Sequence, residues 1–206
     1  MANTDNENII AVRLEHLRAV MRREHLAAFI IPSTDPHNSE YVPPRWEGRK
    51  WITGFTGSAG TAVVTMDSAA LWTDSRYFLA AEKQLEGTSF QLMRLKVKGT
   101  PTIARWLADK LKDTNAQVGV DGMCNNVSSV ENLIHELRRQ GGITVRTNFD
   151  PLNEIWKDRP AIPDHKMEVY PMKYAGETAL SKMRRVRATL CDMGADGMLV
   201  SALDDI

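Results

Sequence analysis

Apolar residues recur along the first part of the chain at the spacing of an amphipathic helix, and a short apolar run follows them. Thr4 and Glu7 form the pattern of a capping box before this helix, which should end near His25. The run at 26–31 is uninterrupted and stopped by Pro32, which is typical of a strand covered on both faces. The chain is therefore predicted to begin with a helix and a buried strand. The helix face carries Ile10, Leu14, Leu17 and Met21.

Two β-prone segments, at residues 60–65 and 69–73, lie close together in the chain. Only Met66, Asp67 and Ser68 separate them, and so short a connection permits only an antiparallel hairpin. A sheet that contains both this antiparallel hairpin and strands that are joined through helices has to be mixed.

Helices and strands continue to alternate after the hairpin. Asp74 is in position to cap a helix, and a strand at 90–95 follows that helix. Thr100 as the N-cap and Pro101 at the first helical position predict the next helix, which precedes a strand at 117–120. The pattern up to this point predicts an α/β fold.

One more helix and strand complete this domain. Ser128 and Glu131 form a second capping-box pattern, and Gly141 supplies a left-handed stop. A strand at 143–146 is predicted to close the sheet, so that the domain covers residues 1–150.

A proline-containing segment and a partial repeat follow. Four of the nine prolines lie in residues 151–176, where periodicity is weak, and this predicts a linker. Residues 177–206 then repeat the start of the chain at an offset of 169, with the apolar segment 197–200 standing where 28–31 stood. A second unit of helix and buried strand is predicted, and a strand in this place needs further elements to complete its sheet. We expect the chain to be the front portion of something longer. Met183, Val186 and Leu190 repeat Leu14, Leu17 and Met21.

Composition narrows the class of protein. The 26 basic and 26 acidic residues leave a net charge of zero, so no overall field attracts nucleic acid or an anionic membrane surface. The longest apolar run is far shorter than the roughly 20 residues that cross a bilayer. The first residues lack the pattern of a secretory signal, and Cys124 and Cys191 are far apart. We expect a cytoplasmic protein without a nucleic-acid or membrane partner and without cysteine chemistry.

Two sequence clusters could carry chemistry. Asp35, His37 and Glu40 follow the first strand and could hydrogen-bond a polar ligand, although turn and loop hydrogen bonds are favoured over a metal site or a hydrolase triad. Asp74 and Arg76 could form an ion pair at a strand-to-helix corner or face a ligand, and the sequence leaves both open.

Two further motifs are interpreted structurally. The glycines at 54, 57 and 60 are spaced as GxxGxxG and lead into a strand, so they predict tight turns and not a phosphate loop. A basic and aromatic cluster could contact single-stranded nucleic acid, but Glu47 interrupts it, and aromatic anchoring with solvated cations is favoured. That cluster contains Arg45, Trp46, Arg49, Lys50 and Trp51.

Four ordered segments carry a family resemblance. They read PSTDPHNSEY from Pro32, RWEGRKWITGFTGSAGTAVVT from Arg45, ALWTDSRYFLAAEKQL from Ala70 and IWKDRP from Ile155. Together they resemble the N-terminal region of cytosolic-type, three-domain Xaa-Pro aminopeptidases, the aminopeptidase P branch of the creatinase and prolidase superfamily. The resemblance covers nearly the whole chain.

The resemblance implies a fold and a parent activity. In that family two successive N-terminal domains share a six-stranded mixed sheet with helices on both faces, and residues 1 to about 160 would form the first. The family's third domain binds two divalent metals, commonly manganese, and activates a water against bonds between an N-terminal residue and proline. No catalytic or metal-binding residue of that domain can be assigned to this chain, so the chain alone is expected to bind no cofactor and to be inactive.

What the resemblance implies for this chain itself is a supporting role. The first domain would help to bound the substrate entrance, and His37, Glu40, Tyr41 and Arg76 are the candidates for substrate-entrance or interdomain contacts. The expected partners are peptides with proline at the second position, the chain's own C-terminal catalytic domain and a second copy in a homodimer. Two alternatives stay open: a protein- or peptide-binding module of a creatinase-like protein that has lost its peptidase activity, and a free peptide-binding scaffold.

Overall fold

The computed structural model describes residues 2–111, 115–202 and 205, and it divides into two compact units, Met1–Ala161 and Ile162–Ile206. The first unit is built on one six-stranded sheet. Its strands are β1 (Ala28–Pro32), β2 (Thr61–Thr65), β3 (Ala69–Thr73), β4 (Phe90–Arg94), β5 (Gln117–Val120) and β6 (Thr144–Arg146). Its helices are α1 (Ala2–Arg23), α2 (Gly48–Thr53), α3 (Phe78–Leu85), α4 (Ile103–Lys110), α5 (Val127–Gly141) and α6 (Leu152–Ile155).

The strands lie in the order β4-β3-β2-β1-β5-β6. β2 runs antiparallel to both of its neighbours, and the other adjacent pairs are parallel. The predicted hairpin is therefore β2–β3, and the predicted mixed α/β sheet is confirmed.

The central strand β1 is covered on both sides, as its continuous apolar run predicts. Phe29 and Ile31 belong to one core cluster, with side chains of α1, α2, α3 and α6. Ala28 and Ile30 belong to the opposite cluster, with side chains of α4 and α5. This alternation follows from the two-residue period of a strand, and it places helices on both faces of the sheet.

Three predicted helix starts are wrong. α1 already includes Thr4, so this residue is not an N-cap. α4 is capped by Thr102, whose side chain accepts from the backbone N–H of Arg105. The carbonyl of Pro101 instead accepts from the indole of Trp72 at 2.9 Å, which holds this proline outside the helix. Asp74 stands ahead of α3, where its Oδ1 accepts from the backbone N–H of Arg76.

Both ends of α5 also differ from the prediction. Asn126 is the N-cap, with its Oδ1 2.8 Å from the backbone nitrogen of Ser129. Asparagine caps helices as well as serine does, and the segment offers several candidates within three residues. The left-handed stop is Gly142, with φ +68°, whereas Gly141 is the last helical residue.

The segment after residue 150 differs from the predicted linker. Leu152, Ile155 and Trp156 are buried in the first unit, and the Trp156 ring stacks on Trp51 with centroids 5.2 Å apart. Residues 151–161 therefore pack with the domain that precedes them. α6 has four residues, which is too short to give a helical period in the sequence.

The second unit contains two helices, α7 (Met172–Ala175) and α8 (Ala179–Asp192). The predicted helix is present as α8, with Thr178 as its N-cap. The predicted strand at 197–200 is wrong, because these residues form no ladder with any described segment. A strand exists only through hydrogen bonds to a neighbouring strand, so an apolar run alone does not make one.

The repeated apolar positions have different surroundings in the two units. In α1 they are at most 1% exposed, whereas Met183 and Val186 of α8 are 51% and 44% exposed. Across the residues that the structure describes, no helix is both long and apolar enough to span a bilayer.

Candidate functional site

The loop that follows β1 is organised around Asp35, which is 4% exposed. Its Oδ1 accepts from the backbone N–H groups of His37 and Ser39 at 2.9 and 3.0 Å. Burial alone would raise the pKa of Asp35, but the hydrogen bonds from Ser39 and His37 outweigh it and hold the pKa below its ordinary value. Asp35 thus fixes the loop, as the favoured structural interpretation predicts, while His37 and Glu40 remain exposed.

A cavity of about 220 Å³ lies beside this loop. It is bounded by the loop after β1, by the segment around α2 and by the glycine-containing segment that leads into β2. The lining includes Ser33, Glu40, Tyr41, Arg49, Lys50 and Ser58.

The innermost charge at this cavity is the guanidinium of Arg49, a residue only 5% exposed. Its Nε donates to Oγ of Ser33 at 2.8 Å, and its two terminal nitrogens donate to the backbone carbonyls of Phe55 and Gly57. Burial lowers the pKa of Arg49 to about 10, against the opposing attraction of Glu47, so the group stays charged at neutral pH. The prediction that this arginine is a solvated cation is wrong.

Three other members of the basic and aromatic cluster, Arg45, Lys50 and Trp51, make structural contacts. Nζ of Lys50 lies 2.8 and 3.0 Å from the two carboxylate oxygens of Glu47. Arg45 donates to the carbonyl of Pro160 at 2.9 Å, and Trp51 stacks on Trp156. The prediction of aromatic anchoring is confirmed for Trp51.

Of the three glycines, Gly57 lines the cavity, and Gly54 and Gly60 lie on either side of it in the sequence. Gly54 ends α2 in the left-handed region, with φ +73°. A Cβ on Gly57 would stand 2.3 Å from the Phe55 ring, and a Cβ on Gly60 would stand 2.9 Å from the carbonyl oxygen of Trp72. The predicted tight turn is confirmed at Gly54, and the other two glycines are required by close packing.

Arg76 lies outside the cavity lining. Its guanidinium is paired with Asp74 through two 2.9 Å contacts and lies over the Tyr77 ring, 5.0 Å from the centroid. The hydroxyl groups of Tyr77 and Ser58 are 2.7 Å apart, and this contact connects the corner to the cavity wall. Of the two interpretations that the sequence leaves open for this pair, the structure shows the corner ion pair.

The four predicted site residues are therefore only partly brought together. Glu40 and Tyr41 line the cavity, whereas His37 and Arg76 do not. Arg49 is the residue that the sequence analysis missed at this site. α2 is only six residues long, so no periodic signal distinguishes its buried cation, Arg49, from its half-exposed one, Lys50.

The residues that the structure describes do not fit a metal centre. Within residues 2–111, 115–202 and 205, no three histidine, cysteine, aspartate or glutamate side chains converge in a way that could hold an ion. A dinuclear centre needs several such ligands, so no chemical step can be assigned to a metal on these residues.

Comparisons with known proteins agree along the chain. Residues 13–152 match the profile described as Creatinase/Prolidase N-terminal domain, and residues 158–206 match a second profile with the same description. Aminopeptidase P2 of Arabidopsis thaliana is 43% identical over 181 residues, which are 87% of this chain and 25% of that protein. Xaa-Pro aminopeptidase 1 of Dictyostelium discoideum is 35% identical over 99% of this chain and 34% of its own length.

A solved structure shows the same fold. The X-prolyl aminopeptidase of Caenorhabditis elegans, described as a cytosolic enzyme with a di-nuclear active site, superposes with a TM-score of 0.82 at 28% identity. The match covers 95% of this chain and 33% of that protein. The chain spans about a third or less of the length of these relatives. From its sequence and its fold, the chain belongs to the creatinase/prolidase N-terminal domain family.

Proposed function

We propose that this chain is the non-catalytic N-terminal part of a metal-dependent Xaa-Pro aminopeptidase, which releases the N-terminal residue that precedes proline. The observation that carries this proposal is the 43% identity to a protein named Aminopeptidase P2 over 87% of the chain. The lack of a metal-ligand cluster among the described residues is consistent with chemistry in a separate domain.

The proposed role of the first unit is to shape substrate access and subunit contacts. The exposed loop supports this role, because Asp35 holds its backbone while Tyr41 is 86% exposed. A rigid loop that presents an aromatic side chain to solvent is suited to contact a peptide or a neighbouring domain. We propose that His37, Glu40 and Arg76 make polar contacts of the same kind. The parent enzyme is proposed to form a homodimer.

The parent enzyme is further proposed to be cytosolic and to use two divalent metals, with manganese as the expected ion. Support comes from the C. elegans relative, whose description names a cytosolic enzyme and a di-nuclear active site. The metals are assigned to a C-terminal catalytic domain, which would be the partner of this chain.

The proposal is tested with a chimera, in which this chain replaces the matching segment of the Arabidopsis relative. The chimera is expected to hydrolyse an Xaa-Pro peptide with manganese, and the 206-residue chain alone is expected to show no turnover. Turnover by the pure chain would contradict the proposal, as would a folded chimera that is inactive while the parent relative is active.

The proposed role of the loop in substrate access is tested by a separate variant. Tyr41→Ala in the chimera is expected to raise KM for a proline-containing peptide several-fold with little change in kcat, because it removes a contact made in binding. Leu79→Ala is the matched control, since Leu79 is 83% exposed and lies on α3. Equal KM values for the two variants would refute the assignment of Tyr41 to the entrance.

A further inference from the structure

Arg49 is a buried cation without an anionic partner. Among the described residues, no carboxylate lies within ion-pair distance of its guanidinium, and its three hydrogen bonds all go to neutral oxygens. A guanidinium has five N–H donors in a planar fork, so two of them are left for another acceptor. Buried charges in proteins are ordinarily paired, and this one lines a cavity instead.

The other charges at the cavity are distributed unevenly. Glu47 is already paired with Lys50 at 2.8 Å, so these two neutralise each other. Within the described part of the chain, Glu40 has no ion pair, and it lines the same cavity at an exposed position. The cavity therefore presents one unpaired cation at depth and one unpaired carboxylate near solvent.

The size of the cavity limits what can enter it. Sites for drug-sized ligands usually enclose about 300–1,000 Å³, and this one encloses about 220 Å³. A single amino acid or a dipeptide is the size class that fits, and a longer peptide would extend into solvent.

We propose that this cavity binds a small zwitterion of dipeptide size, with its α-carboxylate on Arg49 and its α-ammonium on Glu40. A guanidinium binds a carboxylate through charge-assisted N–H···O bonds, which are roughly twice as strong as hydrogen bonds between neutral groups. The proposal concerns the first unit alone and does not depend on the peptidase activity of a parent enzyme.

The test is a titration of the ¹⁵N-labelled 206-residue chain with L-alanyl-L-alanine, followed by amide chemical shifts. Saturable shifts are expected at Ser33, Tyr41, Arg49 and Gly57 by about 10 mM ligand, where a site of millimolar affinity is filled. Alanyl-alanine amide lacks the carboxylate, and N-acetyl-alanyl-alanine lacks the ammonium. Each analogue is expected to bind at least about ten-fold more weakly, since each loses one charge-assisted contact.

A variant of Glu40 tests the contact with the ligand's ammonium group separately from the contact with its carboxylate, and it leaves the buried arginine in place. Glu40→Gln is expected to weaken alanyl-alanine binding about ten-fold, as the loss of the ligand's ammonium does, and to leave the N-acetylated analogue unaffected. Glu131→Gln is the control, because Glu131 is exposed on α5 and does not line this cavity. No saturable shift at the cavity residues overturns the proposal. Equal binding of the dipeptide and either analogue, or an effect of Glu131→Gln equal to that of Glu40→Gln, also overturns it.

Discussion

Nε of Arg49 donates to Oγ of Ser33 at 2.8 Å, and the same hydroxyl donates to the carbonyl of Gly60 at 2.8 Å. These two bonds join α2, the residue after β1 and the residue before β2 at one point. The arginine thereby connects segments that are adjacent in the sheet but separated in the sequence.

Arg49→Met is expected to lower the free energy of unfolding by about 3 kcal/mol or more. The substitution removes the donor from the buried carbonyl of Phe55 and from the partly buried Ser33 hydroxyl and Gly57 carbonyl, and a buried acceptor left unsatisfied costs about 1–3 kcal/mol. Lys50→Met, next in the sequence, breaks only a half-exposed ion pair and should cost less than about 1 kcal/mol. Urea unfolding followed by tryptophan fluorescence measures both, and equal losses would show that Arg49 has no special structural role.

The domain boundary is testable by truncation. A chain that ends at Ala161 is expected to unfold in a single transition, with the first unit's stability retained. A chain that ends at Asp150 loses the buried side chains of Leu152, Ile155 and Trp156 and should be less stable by several kcal/mol. Thermal unfolding compares the two, and equal stability would restore the predicted boundary at residue 150.

The pH dependence of stability should report on Asp35. Because the folded state lowers its pKa, the ionised carboxylate stabilises the fold above its unfolded pKa of about 3.9, and this contribution is lost as the pH falls through the folded value. Asp35→Asn is therefore expected to cost about 1 kcal/mol at pH 7 and to cost progressively less as the pH falls below the unfolded pKa of an aspartate, about 3.9. Urea titrations at a series of pH values give the difference. Asp109→Asn, at an exposed i,i+4 ion pair, is the control and should cost about 0.5 kcal/mol or less at pH 7. A penalty for Asp35→Asn that is constant with pH would contradict this assignment.

The two cysteines should react differently with an alkylating reagent. Burial raises the pKa of the Cys124 thiol, and the carboxylate of Asp121, 3.4 Å away, raises it further. Since the thiolate is the reactive form, Cys124 should resist iodoacetamide at pH 8 in the folded chain, whereas the exposed Cys191 is modified. Mass spectrometry should count one label in the folded chain and two in denaturant. Labelling of Cys124 as fast as Cys191 would contradict the buried environment.

The strands of the first unit were predictable because a strand that is buried on both faces appears in the sequence as a short continuous apolar run. The apolar run that forms β1 allows only a strand covered on both faces. The connection between β2 and β3 has three residues and allows only an antiparallel hairpin. Helix ends were less predictable, because several capping residues lie within a few positions of each other. At α4 the N-cap is Thr102 and not Thr100, and the carbonyl of Pro101, which lies between them, accepts from the indole of Trp72, 29 residues away in the sequence.

The candidate site was less predictable than the fold. Glu40 and Tyr41 follow a strand end, where exposed functional side chains are common, and they do line the cavity. The burial of Arg49 depends on carbonyls at 55 and 57, which fold back over its side chain. Such backbone acceptors have no residue-specific signature, so the sequence shows a basic residue among aromatic ones and nothing more.

The position of β1 has a consequence for how the protein is made. One edge of β1 pairs with β2, but its other edge pairs with β5, which leaves the ribosome more than eighty residues after β1 does. Throughout that interval the most apolar strand of the nascent chain has an open edge, which is a site for mispairing with other chains. Slow synthesis or an early stop before Gln117 should therefore favour aggregation, and a chaperone that covers this edge would act during that interval.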